Sequence, residues 1–130
     1  MSVLIVEDDK EIRTVIELYL STVFHLSRGR DYLMPESLGV AREIVREDRG
    51  LKAVFLDFDL HKFPDNTDRF DPIDGKMVVR DIGNGTAIFN TCAAARNFSL
   101  TDDARDIDLR KGSAEFFSEL GRNVVEYSKR

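Results

Sequence analysis

A single cysteine, Cys92, leaves this chain no internal disulfide to form, which fits a reducing compartment. Long apolar runs are missing as well. None approaches the roughly 20 residues needed to cross a bilayer, and the N-terminus lacks the basic start and apolar stretch of a signal peptide. These absences predict a soluble, cytoplasmic protein with no membrane partner. Basic residues are in deficit, 19 Lys and Arg against 24 Asp and Glu, so a net charge of -5 argues against direct nucleic-acid binding. Repeats and low-complexity tracts are absent. The 130 residues, 42% of them hydrophobic, predict one domain spanning residues 1–130 around one core.

What the chain does have is acid placed at the ends of apolar runs. Glu7, Asp8 and Asp9 close Val3-Leu4-Ile5-Val6, and Asp57 closes Ala53-Val54-Phe55-Leu56. If both runs are parallel strands of one open sheet, their carboxyl ends open into one crevice, where such sheets place ligands. Like charges about 4 Å apart repel by roughly 4 kcal/mol at an effective dielectric of 20. Such a cluster favours proton uptake or a hard divalent cation, and magnesium is the natural candidate.

Val3 to Val6 is apolar throughout, as in a strand covered on both faces. Ile12, Val15, Ile16, Tyr19 and Val23 then recur at helical spacing from Asp9 to about Thr22, with Glu11 in the first turn. Phe24 to Met34 is ambiguous, with room for a second strand near either end. Pro35 suits the first turn of the next helix, whose stripe is Leu38, Ala41, Ile44 and Val45, ending at Gly50. A strand begins at Ala53. Asp59 to Asp74, with five aspartates and two prolines, reads as a long loop. The three-residue spacing of Asp65, Asp68, Asp71 and Asp74 does not match the alternate-residue ligands of a calcium loop, so a solvated acidic loop is the better reading.

Asp74-Gly75 opens a short helix bearing Met77, Val78 and Ile82, closed by Gly83-Asn84-Gly85. Ala87, Ile88 and Phe89 form a strand with Asn90, Thr91 and Cys92 at its carboxyl end. A short helix over Ala93 to Phe98 and an edge strand over Ile107 to Arg110 follow, the latter ended by Lys111. A last helix is capped by Ser113, buries Phe116, Phe117, Leu120 and Val124, and ends with Lys129 and Arg130 against its negative pole. Alternating strands and helices predict an α/β fold with a mainly parallel sheet and right-handed crossovers.

In this order, Val-Leu-Ile-Val-Glu-Asp-Asp, Val-Phe-Leu-Asp, a strand-terminal Thr91 and a strand-terminal Lys111 resemble the receiver domain of bacterial two-component response regulators, over nearly the whole chain. The resemblance implies a flavodoxin-like (βα)5 three-layer sandwich with a five-stranded parallel sheet. It implies that Asp57 is the phosphoacceptor, phosphorylated by a sensor histidine kinase or phosphotransfer protein in a phosphorelay, with Thr91 and Lys111 contacting the phosphoryl oxygens. Mg2+ would be held by Asp8 directly, by Asp57 and by the backbone carbonyl of Asp59, while Glu7 would hold a coordinated water or stand just behind the ligands. Asp9 falls outside this set and reads as a helix N-cap. A conformational switch would signal to a downstream protein, the protein catalysing only its own phosphorylation and dephosphorylation. A homodimer stays open, and the chain is expected to act alone, with no output domain.

The chain departs from the family pattern at several points. Gly112 stands where receivers usually place a proline after the lysine, which puts the aim of Lys111 in question. Asp108 replaces the usual aromatic switch residue. His61 replaces a proline four residues after the acceptor and reads as a solvated loop residue. Asp59 and Ala93 flank the expected path of hydrolytic water, and Cys92 reads as a small buried apolar residue. Two alternatives follow. One is a degenerate receiver that binds a partner without being phosphorylated. The other is a phosphatase, since Asp57-Phe58-Asp59 after a hydrophobic strand resembles the nucleophile motif of haloacid dehalogenases, although that reading leaves Glu7 and Asp8 idle.

Overall fold

The computed structural model describes residues 1–91, 100–101, 103–107 and 111–130. Strands β1 (Val3–Val6), β2 (Ala53–Leu56), β3 (Ala87–Asn90) and β4 (Arg105–Asp106) form one sheet in the order β1-β2-β3-β4. All three pairings are parallel. Between and after the strands run helices α1 (Lys10–Val23), α2 (Leu38–Glu47), α3 (Gly75–Val79) and α4 (Ala114–Ser128). None of these is long and apolar enough to cross a membrane.

Successive residues of a strand point to opposite faces, and here both faces are covered. Val3 and Ile5 of β1 and Phe55 of β2 pack with Ile16 and Leu20 of α1 and with Phe116, Leu120 and Val124 of α4. Leu4 and Val6, with Val54 and Leu56, pack instead under Leu38, Ala41 and Val45 of α2 and Val78 of α3. The result is the expected three-layer sandwich. Every residue of β1 and β2 is buried, which is why the sequence there shows no polar alternation.

The fifth strand is reduced to one residue. Leu33 makes a single parallel bridge to Leu4 on the outer edge of β1, donating its N–H to Val3 O at 2.9 Å and accepting from Ile5 N–H at 2.8 Å. Pairing in this register stops because the next residue facing β1 is Pro35, which has no N–H to donate. Gly29 N–H donates to Tyr32 O at 2.7 Å, and the Arg28 guanidinium donates to Met34 O. Loop side chains thus close an edge that would otherwise be open to further pairing.

Helix starts follow their caps. The carboxylate of Asp9 accepts from Glu11 and Ile12 N–H at the head of α1, as the sequence predicts. The expected place of Pro35 in the first turn of α2 is corrected: the helix begins at Leu38 with Ser37 as its cap. The Asp65 carboxylate reaches the same end, accepting from Leu38 N–H at 2.9 Å and Gly39 N–H at 2.8 Å. These donors need acceptors and a proline ring supplies none, so the cap rather than Pro35 sets the start. Asp74 caps α3 and Ser113 caps α4.

Of the predicted edge strand Ile107–Arg110 only Ile107 is described; it is buried and extends the Arg105–Asp106 ladder by donating its N–H to Asn90 O at 2.9 Å. Register decides this, since Phe89 pairs with Arg105 and Asn90 with Asp106. Arg105 suits an edge because its guanidinium lies over the Phe89 ring and donates to the Tyr127 hydroxyl. Residues 108–110, the predicted helix Ala93–Phe98, Cys92 and Asp108 lie outside the described residues.

Gly75 fixes α3 against the end of β2. A Cβ there would stand 2.4 Å from Asp57 O and 2.6 Å from Leu100 Cδ2. Gly75→Ala is therefore expected to destabilise the protein by about 2 kcal/mol, the range of an overpacked core. Urea denaturation measures it, and an unchanged midpoint would show that the backbone yields freely.

Candidate functional site

The sheet delivers the acids to one place because its strands end level. Val6 pairs with Leu56 and Leu56 with Asn90, so Glu7, Asp57 and Thr91 emerge side by side. Thr91 N–H donates to Leu56 O at 3.1 Å, holding the third strand end beside the second. Lys111 comes from the segment after β4. Its ammonium donates to Asp57 Oδ2 at 2.5 Å and lies 2.6 Å from Glu7 Oε2. Glu7, Asp8, Asp57, Asp59, His61 and Lys111 together line a cavity of about 310 Å³.

Gly112 does not loosen this contact. Its φ of +94° lies in the left-handed region, which glycine adopts readily and which is closed to proline, whose ring fixes φ near -65°. The chain turns there into the Ser113 cap of α4 while Lys111 still spans both acids.

Burial sets the electrostatics. Glu7 is 2% exposed, and Asp8 and Asp57 are each 6% exposed. Loss of water pushes the Glu7 carboxyl up to about 7 with Asp57 adding to the rise, although Lys111 pulls the other way. Asp8 is raised for the same first reason, desolvation. For Lys111 burial favours the neutral amine, but Glu7 and Asp57 outweigh it and hold the ammonium more firmly protonated. The opposite demands on Glu7 and Lys111 resolve in one way: the lysine keeps its proton, and Glu7 is the acid that shares one when no other cation is near.

The three buried acids suit a hard divalent cation. Glu7, Asp8 and Asp57 each offer a carboxylate oxygen within 4.8 Å of the others, and an all-oxygen set is what magnesium prefers. Asp57 is further fixed by Asp59 N–H, which donates to its Oδ1 at 3.3 Å. Thr91 is 4% exposed, and its Oγ1 is a buried hydroxyl with no hydrogen-bond partner among the described residues. A buried polar group without a partner is costly, and this one sits at the strand end beside Asp57.

Two contributors escaped the sequence reading. Lys62 donates its backbone N–H to Asp8 Oδ2 at 2.9 Å and its ammonium to Asp9 Oδ2 at 2.8 Å, and this ammonium lowers the Asp9 pKa. Arg13, buried in α1, donates to Glu7 O at 2.8 Å and lies over the Phe63 ring. Arg13 had a visible signal, since it falls one helical turn from Ile16 on the inner face. Lys62 had none, because its role depends on a loop fold that no periodicity encodes.

With strand order, layers and strand-end acids in place, the solved structures most informative for this chain are two receivers. It superposes on the response regulator receiver domain protein (CheY-like) from Methanospirillum hungatei JF-1 with a TM-score of 0.58, over 99% of this chain and 98% of that one. The chain has the receiver fold. The response regulator domain of Thermotoga maritima CheB gives a TM-score of 0.56 over 100% and 97% of the two chains. Identity is 16% in both cases. No protein-family model matches the sequence, nor does any curated protein. The likeness is one of receiver architecture, and the roles of the site residues are argued from this chain's own geometry.

Glu7 makes stability depend on pH with a definite sign. Its folded-state pKa, about 7, lies above its ordinary value of 4.5, so between these values the folded chain binds more protons than the unfolded one. The stabilisation is complete below 4.5 and is lost as pH rises through about 7. For metal-free protein the expected loss is about 3 kcal/mol, read from denaturation midpoints across that range. Glu7→Gln flattens the profile, and an unaltered slope in that variant would assign the effect elsewhere.

Proposed function

We propose that this chain is a phosphoacceptor receiver of a two-component phosphorelay, taking a phosphoryl group on Asp57 with Mg2+ bound and passing the signal by a conformational switch. The observation that carries the reading is the Lys111 ammonium held between Asp57 and Glu7 with Asp8 beside them. Phosphoryl transfer demands cations around the acceptor, because charge spreads over the equatorial oxygens in the transition state.

In the reaction, an Asp57 carboxylate oxygen attacks the phosphorus of a phosphohistidine on a sensor kinase or phosphotransfer protein. The P–N bond breaks, the imidazole leaves, and Asp57 carries an acyl phosphate. Lys111 follows the charge from the carboxylate to a phosphoryl oxygen. The Thr91 hydroxyl donates to another of these oxygens, a partner it lacks among the described residues. Bound magnesium supplies further neutralisation, and Glu7, Asp8, Asp57 and the Asp59 carbonyl are the groups that would hold it. Attack by water on phosphorus then frees inorganic phosphate and restores Asp57.

The added charge, about -1.5 to -2, together with the movement of Thr91, biases a two-state surface that a downstream protein reads. The chain is not an enzyme toward other substrates in this reading, and its place is the cytoplasm.

Incubation with acetyl phosphate and magnesium, followed by intact mass, tests the proposal. Wild type is expected to gain one phosphoryl group, Asp57→Asn none, and Asp8→Ala far less at the same magnesium concentration. Lys111→Met should slow phosphorylation by about 10²-fold or more, the usual effect of losing one charge-stabilising group. Wild type that gains no mass and binds neither magnesium nor beryllium fluoride would sink the reading.

A further inference from the structure

The outer rim of the pocket carries two side chains that this phosphoryl chemistry leaves unused, the Asp59 carboxylate and the His61 imidazole. Of the chain's 2 histidines, this one lines the acidic cavity. A carboxylate oxygen of Asp8, one of Asp59 and a ring nitrogen of His61 lie within 4.8 Å of one another. The backbone holds them there. His61 N–H donates to Asp59 Oδ1 at 3.1 Å, and the next residue, Lys62, donates its N–H to Asp8 Oδ2 at 2.9 Å. The side chains of Asp59 and His61 are 58% and 61% exposed, so an ion reaches them from solvent without opening the pocket.

We propose that Asp8, Asp59 and His61 form a second metal site on the rim, one that takes a first-row transition ion such as zinc or cobalt and shares Asp8 with the inner acidic trio. Donor chemistry separates the two sites. Glu7, Asp8 and Asp57 are oxygen donors suited to magnesium, whereas imidazole suits zinc, cobalt and nickel, and affinity for such a ligand set rises toward the later metals.

The His61 Nδ1 contacts Asp59 Oδ1, so two of the three donors already face each other, and an ion would take the place of the proton they share. Two carboxylates and a neutral imidazole balance a dication. The nearby Lys62 ammonium does not compete for Asp8, because it is held by Asp9.

The test is calorimetric titration of tag-free protein at pH 8 with zinc, cobalt and magnesium in turn, on wild type, His61→Ala, His61→Gln and Asp57→Asn. Zinc and cobalt are expected to bind wild type about tenfold or more tightly than either His61 variant, the scale of losing one metal-site partner. A cobalt absorption band seen in wild type should be absent from both. Magnesium affinity should be unchanged in the His61 variants, and Asp57→Asn should weaken magnesium while keeping His61-dependent zinc binding. That last pattern separates the rim from the inner site: zinc binding that needs His61 upholds the rim site even if wild type binds no magnesium. Equal zinc affinity in wild type, His61→Ala and His61→Gln would overturn it.

Discussion

Everything at the functional end of this molecule depends on one ammonium group balancing carboxylates that the sheet forces together. Level parallel strands bring Glu7 and Asp57 out side by side, and Asp8 follows directly. At roughly 4 kcal/mol for a pair of like charges at about 4 Å, three such acids could not all stay ionised without a cation among them. Lys111 supplies it, bonded to two of the three. Removing one partner from a buried pair typically costs about 3–5 kcal/mol, because the remaining charge is left uncompensated. The lysine therefore has a structural role in balancing the buried acids. One ammonium against three acids also leaves the pocket short of positive charge, and this shortage is what draws in a proton or a divalent ion.

The position of that lysine rests on the packing behind it. It follows β4, a two-residue strand too short to be stable by its own pairing. Ile107 is buried and ties the strand to Asn90 O, and Arg105 packs on Phe89 and bonds Tyr127. Phe89 in turn stacks on Phe55 of β2 with ring centroids 4.6 Å apart. An aromatic column thus links β2, the lysine-bearing edge and α4.

Much of this was legible in the sequence, for identifiable reasons. The runs Val3–Val6 and Ala53–Leu56 announce strands covered on both sides, and acids at their ends announce a crevice; neither statement needs tertiary information. Caps were equally visible at Asp9, Asp74 and Ser113, because their side chains act on N–H groups within three residues. What failed was non-local. The start of α2 depends on Asp65, 26 to 27 residues away from the N–H groups it receives. The short β4 is set by register against β3, while its own residues, Arg105 and Asp106, are both exposed and show no strand pattern.

The loop after Asp57 shows the same limit from the other side. Rich in aspartate and without periodicity, Asp59 to Asp74 looks solvated, yet it is a strap with anchors along its length. Phe63 is buried beneath Arg13. Asn66 spans the loop, its amide donating to Leu60 O and Ile73 O while its own oxygen accepts from Ile73 N–H. Asp65 grips the head of α2, and Lys62 grips Asp8 and Asp9. Since the Lys62 N–H holds the same carboxylate that would hold a metal, a change of charge at Asp8 acts first on this strap, and through Asp65 on the end of α2. The strap is a mechanical connection between the acidic pocket and the head of α2, made from a backbone N–H and an aspartate cap.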